Sequence, residues 1–345
     1  MLKHGGGIRE AAVKFGIPAK QWLDLSTGIN PLGWQIPKIP DSCWLRLPEE
    51  GDGLERAAAS YYGSRSFLPI AGSQAAIQVL PRLRKNFRVA ILSPTYSEHA
   101  HAWGEPPIGF HEDSYGKSFI DNVHQLPLQE LEETIELYDV VVVVNPNNPT
   151  GSIIKKERLL AWCDRLKSAS QPYGGIKWLI VDEAFMDTTP DNSLLPYVGE
   201  PGLIILRSLG KFFGLAGARV GFIFAWQQLL DNIRELLGPW TISGPSRLIA
   251  TMALQDKRWH EQTISRLEAA QSHLTERLAD KGLNPTSTHP LFQWITLPEP
   301  GGLFNHLAKQ GILIRNLEAH GGVRLGLPGV DKEWKRLESG LTGWR

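Results

Sequence analysis

One lysine of this chain lies in a loop suited to covalent chemistry. Lys211 belongs to the run SLGKFFG (residues 208–214), Arg219 follows eight residues later, and the apolar run 203–206 comes before it. A lysine needs a nearby cation or a dry pocket to lower its pKa before it can form a Schiff base. The serine, the glycine and the arginine indicate a phosphate beside this lysine. A surface lysine in a glycine-rich loop is the alternative interpretation, and this segment alone does not decide.

Two further segments favour the chemical interpretation. Five valines, residues 140–144, predict a strand buried on both faces, and the run NPNNPTG (145–151) ends it abruptly. Residues 178–182 predict another buried strand, which ends on Asp182 and Glu183. Either carboxylate could be a simple cap or turn residue. However, ligands of open α/β sheets bind outside the carboxyl ends of the strands, so three strands would bring Asn148, Asp182 and Lys211 to one edge.

A fourth segment predicts a cradle for a phosphate. The run Gly72-Ser73-Gln74 stands between a short predicted strand and a helix. Backbone N–H groups at the start of a helix bind anions, and the helix dipole reinforces them. A plain glycine turn with Ser73 as the helix cap is the commoner structure for such a tripeptide. The cap and the cradle share one geometry, so both interpretations stay open.

Together, three motifs resemble those of a known family. The runs NPNNPTG (145–151), DEAF (182–185) and SLGKFFG (208–214) with Arg219 are similar to those of the fold-type I pyridoxal-phosphate enzymes, in the class I/II aminotransferase family. The resemblance extends over nearly the whole chain. It implies an α/β fold, with a three-layer large domain around a mainly parallel sheet and a small α+β domain. It also implies pyridoxal 5'-phosphate as cofactor and a homodimer with shared active sites.

The resemblance implies a role for each motif residue. Lys211 would form the Schiff base with the cofactor and then move protons, and Asp182 would keep the pyridine nitrogen protonated. Asn148 would hydrogen-bond the 3-oxygen of the ring, and Tyr96 would stack on its face. The cofactor phosphate would be held by Gly72, Ser73, Gln74, Ser208 and Arg219.

Two positions depart from the family pattern. Many members have a tyrosine three residues after the strand-end aspartate, where this chain has Phe185. A hydroxyl contact to the cofactor oxygen is therefore missing. Many also have Arg-Tyr-Pro where this chain has Arg46-Leu47-Pro48. Leu47 cannot donate a hydrogen bond to the phosphate across a dimer interface.

Substrate residues decide which reaction follows. Arg324 matches the carboxylate-binding arginine of the family, and Arg315, on a predicted strand beside it, could hold a substrate phosphate. The amino-terminal segment, with His4, Gly5 and Asn30, resembles the threonine-phosphate decarboxylases of cobalamin synthesis, close relatives of histidinol-phosphate aminotransferases. That branch implies decarboxylation of L-threonine O-3-phosphate to (R)-1-aminopropan-2-yl phosphate. The alternative is an aminotransferase acting on histidinol phosphate or a related amino acid.

Non-enzymatic and metal-dependent alternatives receive less support. The presence of Lys211, Asp182 and Arg324 together argues against a cofactor-binding regulatory module. Such a module could still keep these residues, so turnover is the test. His99 and His101 are two residues apart on a predicted helix and do not share a face, so we expect no metal site.

Composition limits the classes of protein. The chain has 345 residues, a formal net charge of +0 and 42% hydrophobic residues, which is typical of a soluble globular protein with about two domains. Balanced charge gives no argument for a nucleic-acid or membrane partner. Two distant cysteines support neither a disulfide framework nor a zinc site. With no signal peptide or long apolar stretch in the sequence, we expect a cytoplasmic protein.

Alternating strands and helices predict the fold class. Predicted strands are 67–70, 89–92, 140–145, 178–182, 203–207, 220–225, 291–295 and 313–315, and predicted helices are 8–15, 53–62, 75–84 and 156–168, with a long amphipathic stretch over 246–281. This alternation favours a mainly parallel sheet covered on both faces. We predict an amino-terminal segment, 1–45, that packs with the small domain, a large cofactor domain, 46–235, and a small carboxy-terminal domain, 236–345.

Overall fold

Helices and strands alternate through most of the molecule. The computed structural model describes residues 4–84, 87–104, 122–170 and 175–344. The strands are β1 (Leu23–Asp24), β2 (Phe67–Ile70), β3 (Val89–Leu92), β4 (Val123–Leu126), β5 (Val140–Val144), β6 (Trp178–Asp182), β7 (Leu203–Ser208), β8 (Gly221–Phe224), β9 (Ser287–His289), β10 (Phe292–Thr296), β11 (Ile312–Leu313), β12 (Arg315–Leu317) and β13 (Gly322–Gly326). The helices are α1 (Ile8–Phe15), α2 (Ser42–Leu45), α3 (Leu54–Tyr62), α4 (Ser73–Val79), α5 (Ser97–Gly104), α6 (Leu128–Thr134), α7 (Lys156–Ser168), α8 (Gln227–Leu237), α9 (Gly244–Gln255), α10 (Lys257–Ala279), α11 (Pro300–Ala308) and α12 (Asp331–Gly340).

A seven-stranded sheet has the order β2-β8-β7-β6-β5-β3-β4. Only β8 runs against its neighbours, so the prediction of a mainly parallel sheet is confirmed. Val144 pairs with Asp182, which in turn pairs with Leu206. The carboxyl ends of β5, β6 and β7 therefore meet at one edge, which is where sheets of this kind bind ligands.

Side chains of one strand enter two different cores. Val141 and Val143 pack into a cluster with α3 and α7, whereas Val140 and Val142 pack into a second cluster with α4 and α8. All five valines of β5 are at most 2% exposed. Because successive strand side chains point to opposite faces, a continuous valine run fits a sheet covered on both sides. The result is the predicted three-layer architecture.

The carboxy-terminal part contains a smaller, antiparallel sheet with the order β12-β13-β10-β9. The prediction of one strand over 313–315 was wrong. The chain forms two short strands there: β11 pairs in parallel with β1, and β12 joins the antiparallel sheet. The chain thus passes from one sheet to the other at Ile314.

Two predicted helices have different bounds in the structure. The helix predicted at 75–84 is α4, which begins at Ser73 and gives way to a 3-10 turn, Leu80–Leu83. Pro81 lacks the N–H that a continuing α-helix would use. The amphipathic stretch 246–281 is divided into α9 and α10 at Asp256, whose side chain accepts a hydrogen bond from Trp259 N and caps α10.

The amino-terminal segment contacts the carboxy-terminal part in two places. Strand β1 pairs with β11, and Trp22 and Ala11 form a small core with Leu313 and Ala308. The division into residues 1–45, 46–235 and 236–345 stays a prediction. Helix α9, in the third range, packs on α3, in the second, so contacts also connect these two ranges. None of the helices in the described part of the chain has the length and apolar character to cross a membrane.

Candidate active site

A cavity of about 310 Å³ lies at the carboxyl edge of the large sheet. It is lined by His4, Ser73, Gln74, Tyr96, Glu98, Val144, Asn148, Asp182, Ala184, Phe185, Ser208, Gly210, Lys211, Ala216 and Arg219. A smaller cavity of about 80 Å³ shares His4, Tyr96 and Asn148 with it, and adds Gly5, Arg315 and Arg324 among others. Larger cavities of about 560 and 650 Å³ lie elsewhere. We place the site at the pair of smaller cavities because the cationic and acidic side chains converge there.

Lys211 lies just past the end of β7, within the larger cavity. Burial, assisted by the cations Arg324 and Arg219 and opposed by Asp182, lowers its pKa to about 8. Its Nζ atom lies 5.4 Å from the centre of the Phe185 ring. An amine in these surroundings is partly unprotonated near neutral pH, which is the state that attacks an aldehyde.

Asp182 ends β6 and is 3% exposed. Its Oδ2 atom is 3.0 Å from Nε2 of His99, a buried residue of α5, and its Oδ1 atom accepts a hydrogen bond from Ala184 N at 3.1 Å. His99 was not among the predicted site residues. A histidine near the start of a short helix gives no local signal, and only the packing of α5 against the strand ends brings it to Asp182.

The segment 72–74 approaches Arg219 closely. Gly72 has a φ of +74°, and a Cβ there would lie 2.7 Å from Nη2 of Arg219. A Cβ on Gly221 would likewise lie 2.6 Å from Ser73 N. Helix α4 starts here without a side-chain cap, so its first N–H groups can bind an anion. The serine predicted to be the cap, Ser73, is instead the first helical residue, after Gly72.

Ser208 is the last residue of β7, and its hydroxyl faces the loop that follows this strand and contains Lys211. Its Oγ accepts a hydrogen bond from Gly210 N at 3.2 Å, while Nη1 of Arg219 donates to Ala216 O at 3.0 Å. Both side chains are thereby fixed next to Lys211 at the wall of the larger cavity.

Arg324, on β13 of the small sheet, contacts the loop that follows β5. Its Nη1 donates to Oδ1 of Asn148 and its Nη2 donates to Ser26 O at 2.7 Å. Because the Asn148 oxygen is engaged, its Nδ2 group is the part that can donate to a ligand. The buried Nε of Arg324 has no hydrogen-bond partner within the described residues. Burial, assisted by Arg315, lowers the pKa of Arg324 to about 10.

Arg315 stands opposite Arg324 on the paired strands β12 and β13. Burial lowers the pKa of the Arg315 guanidinium. Both arginines line the smaller cavity. Arg324 is buried and Arg315 is partly buried. Neighbouring cations repel each other, and an anion placed beside them offsets this repulsion.

Tyr96 lines both cavities. Burial raises the pKa of its hydroxyl to about 12, assisted by Glu98 and Asp182. The His4 ring lies 6.0 Å from the Tyr96 ring, and Gly5, which follows it, lines the smaller cavity. A Cβ on Gly5 would lie 2.4 Å from Ser26 O, so only glycine fits there without a shift.

Two predicted site residues, Gly72 and Asn30, line neither cavity. Asn30 is 3% exposed, and its Nδ2 donates to Phe212 O at 2.9 Å. Its backbone N also donates to Lys211 O at 3.0 Å. Asn30 therefore fixes the main chain that presents Lys211 and does not line the cavities.

The two departures from the family pattern have different surroundings. Phe185 is buried and packs on His289 and Phe292 beneath Lys211. Phe185 therefore forms part of an apolar wall at the position where many family members have a tyrosine hydroxyl. Leu47 is 63% exposed and lines neither cavity.

Comparisons with known proteins agree with this geometry. The profile of the family "Aminotransferase class I and II" matches residues 49–336. A threonine-phosphate decarboxylase from Pseudomonas aeruginosa is 48% identical over 345 residues, 100% of this chain and 98% of that one. One from Sinorhizobium sp is 37% identical over 99% and 98% of the two chains. The structure of histidinol-phosphate aminotransferase from Sinorhizobium meliloti in complex with pyridoxal-5'-phosphate superimposes with a TM-score of 0.76 at 17% identity, covering 97% of this chain and 93% of that one.

The chain belongs to the class I and II aminotransferase family. This is a family of pyridoxal-phosphate-dependent enzymes, and the sequence-based prediction of the cofactor is confirmed at that level. The residues of the larger cavity fit the group chemically. A buried lysine with a lowered pKa suits its aldehyde, a buried carboxylate suits a protonated ring nitrogen, and the Gly72–Arg219 contact suits its phosphate.

Proposed function

We propose that the protein decarboxylates L-threonine O-3-phosphate to (R)-1-aminopropan-2-yl phosphate in cobalamin biosynthesis, with pyridoxal 5'-phosphate as cofactor. The observation on which this depends is the pair of opposed arginines, Arg315 and Arg324, in a small cavity that shares lining residues with the cavity of Lys211. A substrate with both a carboxylate and a phosphate supplies two anions for these two cations. The full-length similarity to threonine-phosphate decarboxylases supports the same conclusion.

Side chains of the larger cavity would hold the cofactor. Gly72, Ser73, Gln74, Ser208 and Arg219 surround the place proposed for its phosphate, where charge-assisted hydrogen bonds contribute roughly 1.5–3 kcal/mol each. Tyr96 would pack on one ring face, and the Asn148 amide would donate to the ring oxygen.

Asp182 and Lys211 would have complementary roles. When bound, the cofactor supplies a ring that accepts the electron pair released as a bond at the substrate Cα breaks. The Asp182 carboxylate, held by His99, would keep the ring nitrogen protonated and so maintain this capacity. Lys211 Nζ would attach the aldehyde in the resting enzyme, and in its protonated form would return a proton to Cα after carbon dioxide leaves.

The arginines would decide which bond breaks. The bond held perpendicular to the ring plane is the one that is cleaved, so the substrate must be fixed at two points. Arg324 would bind the carboxylate, and Arg315 would bind the phosphate with His4 and Gly5 nearby. Phe185 and Phe292 would exclude water from the side of the cavity beneath Lys211.

A direct experiment tests this proposal. Purified protein loaded with pyridoxal phosphate is incubated with L-threonine O-3-phosphate, and carbon dioxide and the amine product are measured. We expect carbon dioxide and the phosphorylated amine in equal amounts, without any keto acid. A parallel incubation with histidinol phosphate and 2-oxoglutarate is the comparison. Amino transfer there, without carbon dioxide release from the first substrate, would reject the decarboxylase and favour the aminotransferase.

We also propose that two copies of the chain form a homodimer. Trp44, Leu45, Leu47 and Trp240 are 65%, 83%, 63% and 59% exposed. Helix α2 packs against the start of α9, because a Cβ on Gly244 would lie 2.5 Å from Cys43 O. The four apolar side chains therefore lie in neighbouring segments, and such a surface is typical of an interface.

A cytoplasmic location, which cell fractionation would test, also remains part of the proposal.

A further inference from the structure

One carboxylate of the larger cavity has no role in the reaction described above. Glu98 lies in the first turn of α5, and its side chain is 12% exposed. Its Oε1 atom is 2.7 Å from Nε2 of His4, and its Oε2 atom accepts a hydrogen bond from Nε2 of Gln74 at 2.6 Å. Glu98 therefore links three segments that are far apart in sequence.

A carboxylate is unexpected in a site for two anions, because like charges repel. Here both oxygens already have partners, so Glu98 does not present an unpaired charge to a ligand. The partner that Glu98 can hold in place is His4. The His4 side chain is 43% exposed, and its neighbours in sequence are loop residues. Without the contact to Glu98, holding this ring in place would cost more conformational entropy at each binding event.

The contact with Glu98 also determines what His4 can donate. A neutral imidazole that donates Nε2–H to a carboxylate keeps only an acceptor at Nδ1, whereas the protonated ring donates from both nitrogens. Only the protonated ring can bind Glu98 and an anion at the same time. His4 lines the smaller cavity together with Arg315 and Arg324, where the substrate anions are proposed to bind.

We propose that Glu98 is a positioning residue that fixes His4 as a donor to the phosphate of the substrate. This inference depends on the proposed function. Glu98 itself does not touch the phosphate and acts through the imidazole. The His4–Glu98 pair thereby favours a phosphorylated amino acid over its unphosphorylated form.

The test is a pair of variants and their combination, assayed in the cofactor-loaded enzyme. Glu98→Gln keeps the shape of the side chain but removes its charge. We expect it to raise KM for O-phospho-L-threonine about tenfold, the loss of roughly one charge-assisted contact, and to change kcat less than twofold. His4→Ala should have a similar effect. The double variant should be no worse than either single variant, because Glu98 acts through His4.

Three controls separate this role from a structural one. Glu130→Gln, at an exposed carboxylate of α6, should leave KM unchanged. Cofactor affinity, measured from the visible absorption band, should be the same in the Glu98→Gln protein, as should the melting temperature. A KM increase that persists undiminished in the His4→Ala background would overturn the proposal. So would a loss of cofactor affinity, which would assign Glu98 to Gln74 and the phosphate cradle.

A binding measurement distinguishes failure of this proposal from failure of the proposed function. Inorganic phosphate is titrated calorimetrically into the loaded wild-type, Glu98→Gln and His4→Ala proteins. We expect about tenfold weaker binding in both variants. If the wild-type protein releases no carbon dioxide but shows this pattern, the decarboxylase assignment fails while the role of Glu98 stands. Equal phosphate affinity in all three proteins would reject the role of Glu98.

Discussion

The reactivity of Lys211 follows from where its amine lies. Burial removes the water that stabilises an ammonium ion, and Arg324 and Arg219 add repulsion, so the pKa falls from 10.5 to about 8. Asp182 partly opposes this effect. The residue is thus within reach of both protonation states near neutral pH, as a group that attaches an aldehyde and later donates a proton must be.

A pH dependence of cofactor capture follows from this value. Below pH 8 the reactive amine fraction falls about tenfold per pH unit, because the ammonium form dominates. We expect the rate at which apo-protein gains its visible absorption band, after mixing with pyridoxal phosphate, to rise with pH and to level off above about pH 8. Lys211→Ala should bind no cofactor covalently and show no such band. A rate that is constant from pH 6 to 9 would contradict the lowered pKa.

His99 and Asp182 form a second unit at the residue scale. Asp182→Ala should remove the charge beside the ring nitrogen and cut turnover severely, whereas His99→Gln should weaken cofactor binding more mildly, by about tenfold, because the carboxylate remains but loses one charge-assisted partner. Cofactor affinity from absorption titrations and kcat are the measurements. His101→Gln, at an exposed position of the same helix, is the control and should behave like the wild type. Normal turnover in the Asp182→Ala protein would reject its role.

At the scale of elements, the end of β6 serves two purposes with adjacent carboxylates. Asp182 faces the cavity, while Glu183 faces the interior and pairs with Nη1 of Arg207 at 3.0 Å. Nη2 of the same arginine, which belongs to β7, is 2.6 Å from Oδ1 of Asp187. These three charged side chains are at most 2% exposed. The ion pairs connect β6 to β7 directly behind the strand ends that present Asp182 and Lys211.

Removal of this buried arginine should destabilise the protein strongly. Arg207→Met would leave Glu183 and Asp187 buried without their counter-ion, which typically costs about 3–5 kcal/mol. Urea unfolding followed by circular dichroism measures the change. Lys167→Met removes an exposed partner of Glu200 and should leave the midpoint unchanged. If the two variants unfold at the same urea concentration, the buried network does not contribute as we describe.

Elements with strong local signals were predicted well. Strands β5 and β6 and helices α1 and α7 were predicted to within one residue, because each has its own apolar period and clear end signals. The division at Ile314 could not be predicted, since a strand of two or three residues is defined by its partners and not by its own sequence. The motifs predicted the strand-end residues that line the larger cavity.

The positions of Asn30, His99 and Glu98 could not be predicted from motifs alone. Asn30 matched a motif, yet its side chain points to Phe212 O, and a motif does not specify the direction of a side chain. His99 and Glu98 contribute only after α5 has packed on the strand ends. Their positions depend on tertiary structure, which one sequence without relatives does not reveal.

At the scale of the whole molecule, the site requires distant parts of the chain. The larger cavity uses residues from His4 to Arg219, and the smaller one extends this set to Arg324. Ser26 connects these parts. Its backbone carbonyl oxygen accepts a hydrogen bond from Nη2 of Arg324, and its Oγ accepts one from Gly6 N at 2.7 Å. These hydrogen bonds attach the amino-terminal segment to Arg324 at the smaller cavity.

The proposed dimer is tested through its apolar surface. Leu45→Glu places a charge on a side chain that is 83% exposed in the single chain, and we expect it to convert dimers into monomers because a buried unpaired charge is costly. Sedimentation velocity gives the mass. Val13→Glu, at an 86% exposed position on α1, is the matched control and should leave the mass unchanged. A wild-type protein that sediments as a monomer would reject the dimer.

The position of His4 at both cavities has a practical consequence for producing this protein. A purification handle joined to the amino end would begin within a few residues of the place where substrate is proposed to bind. Trp344, near the opposite end, lines neither cavity and packs on His306. A handle placed at the carboxyl end is therefore the safer choice for kinetic work, and a cleavable one is needed at the amino end.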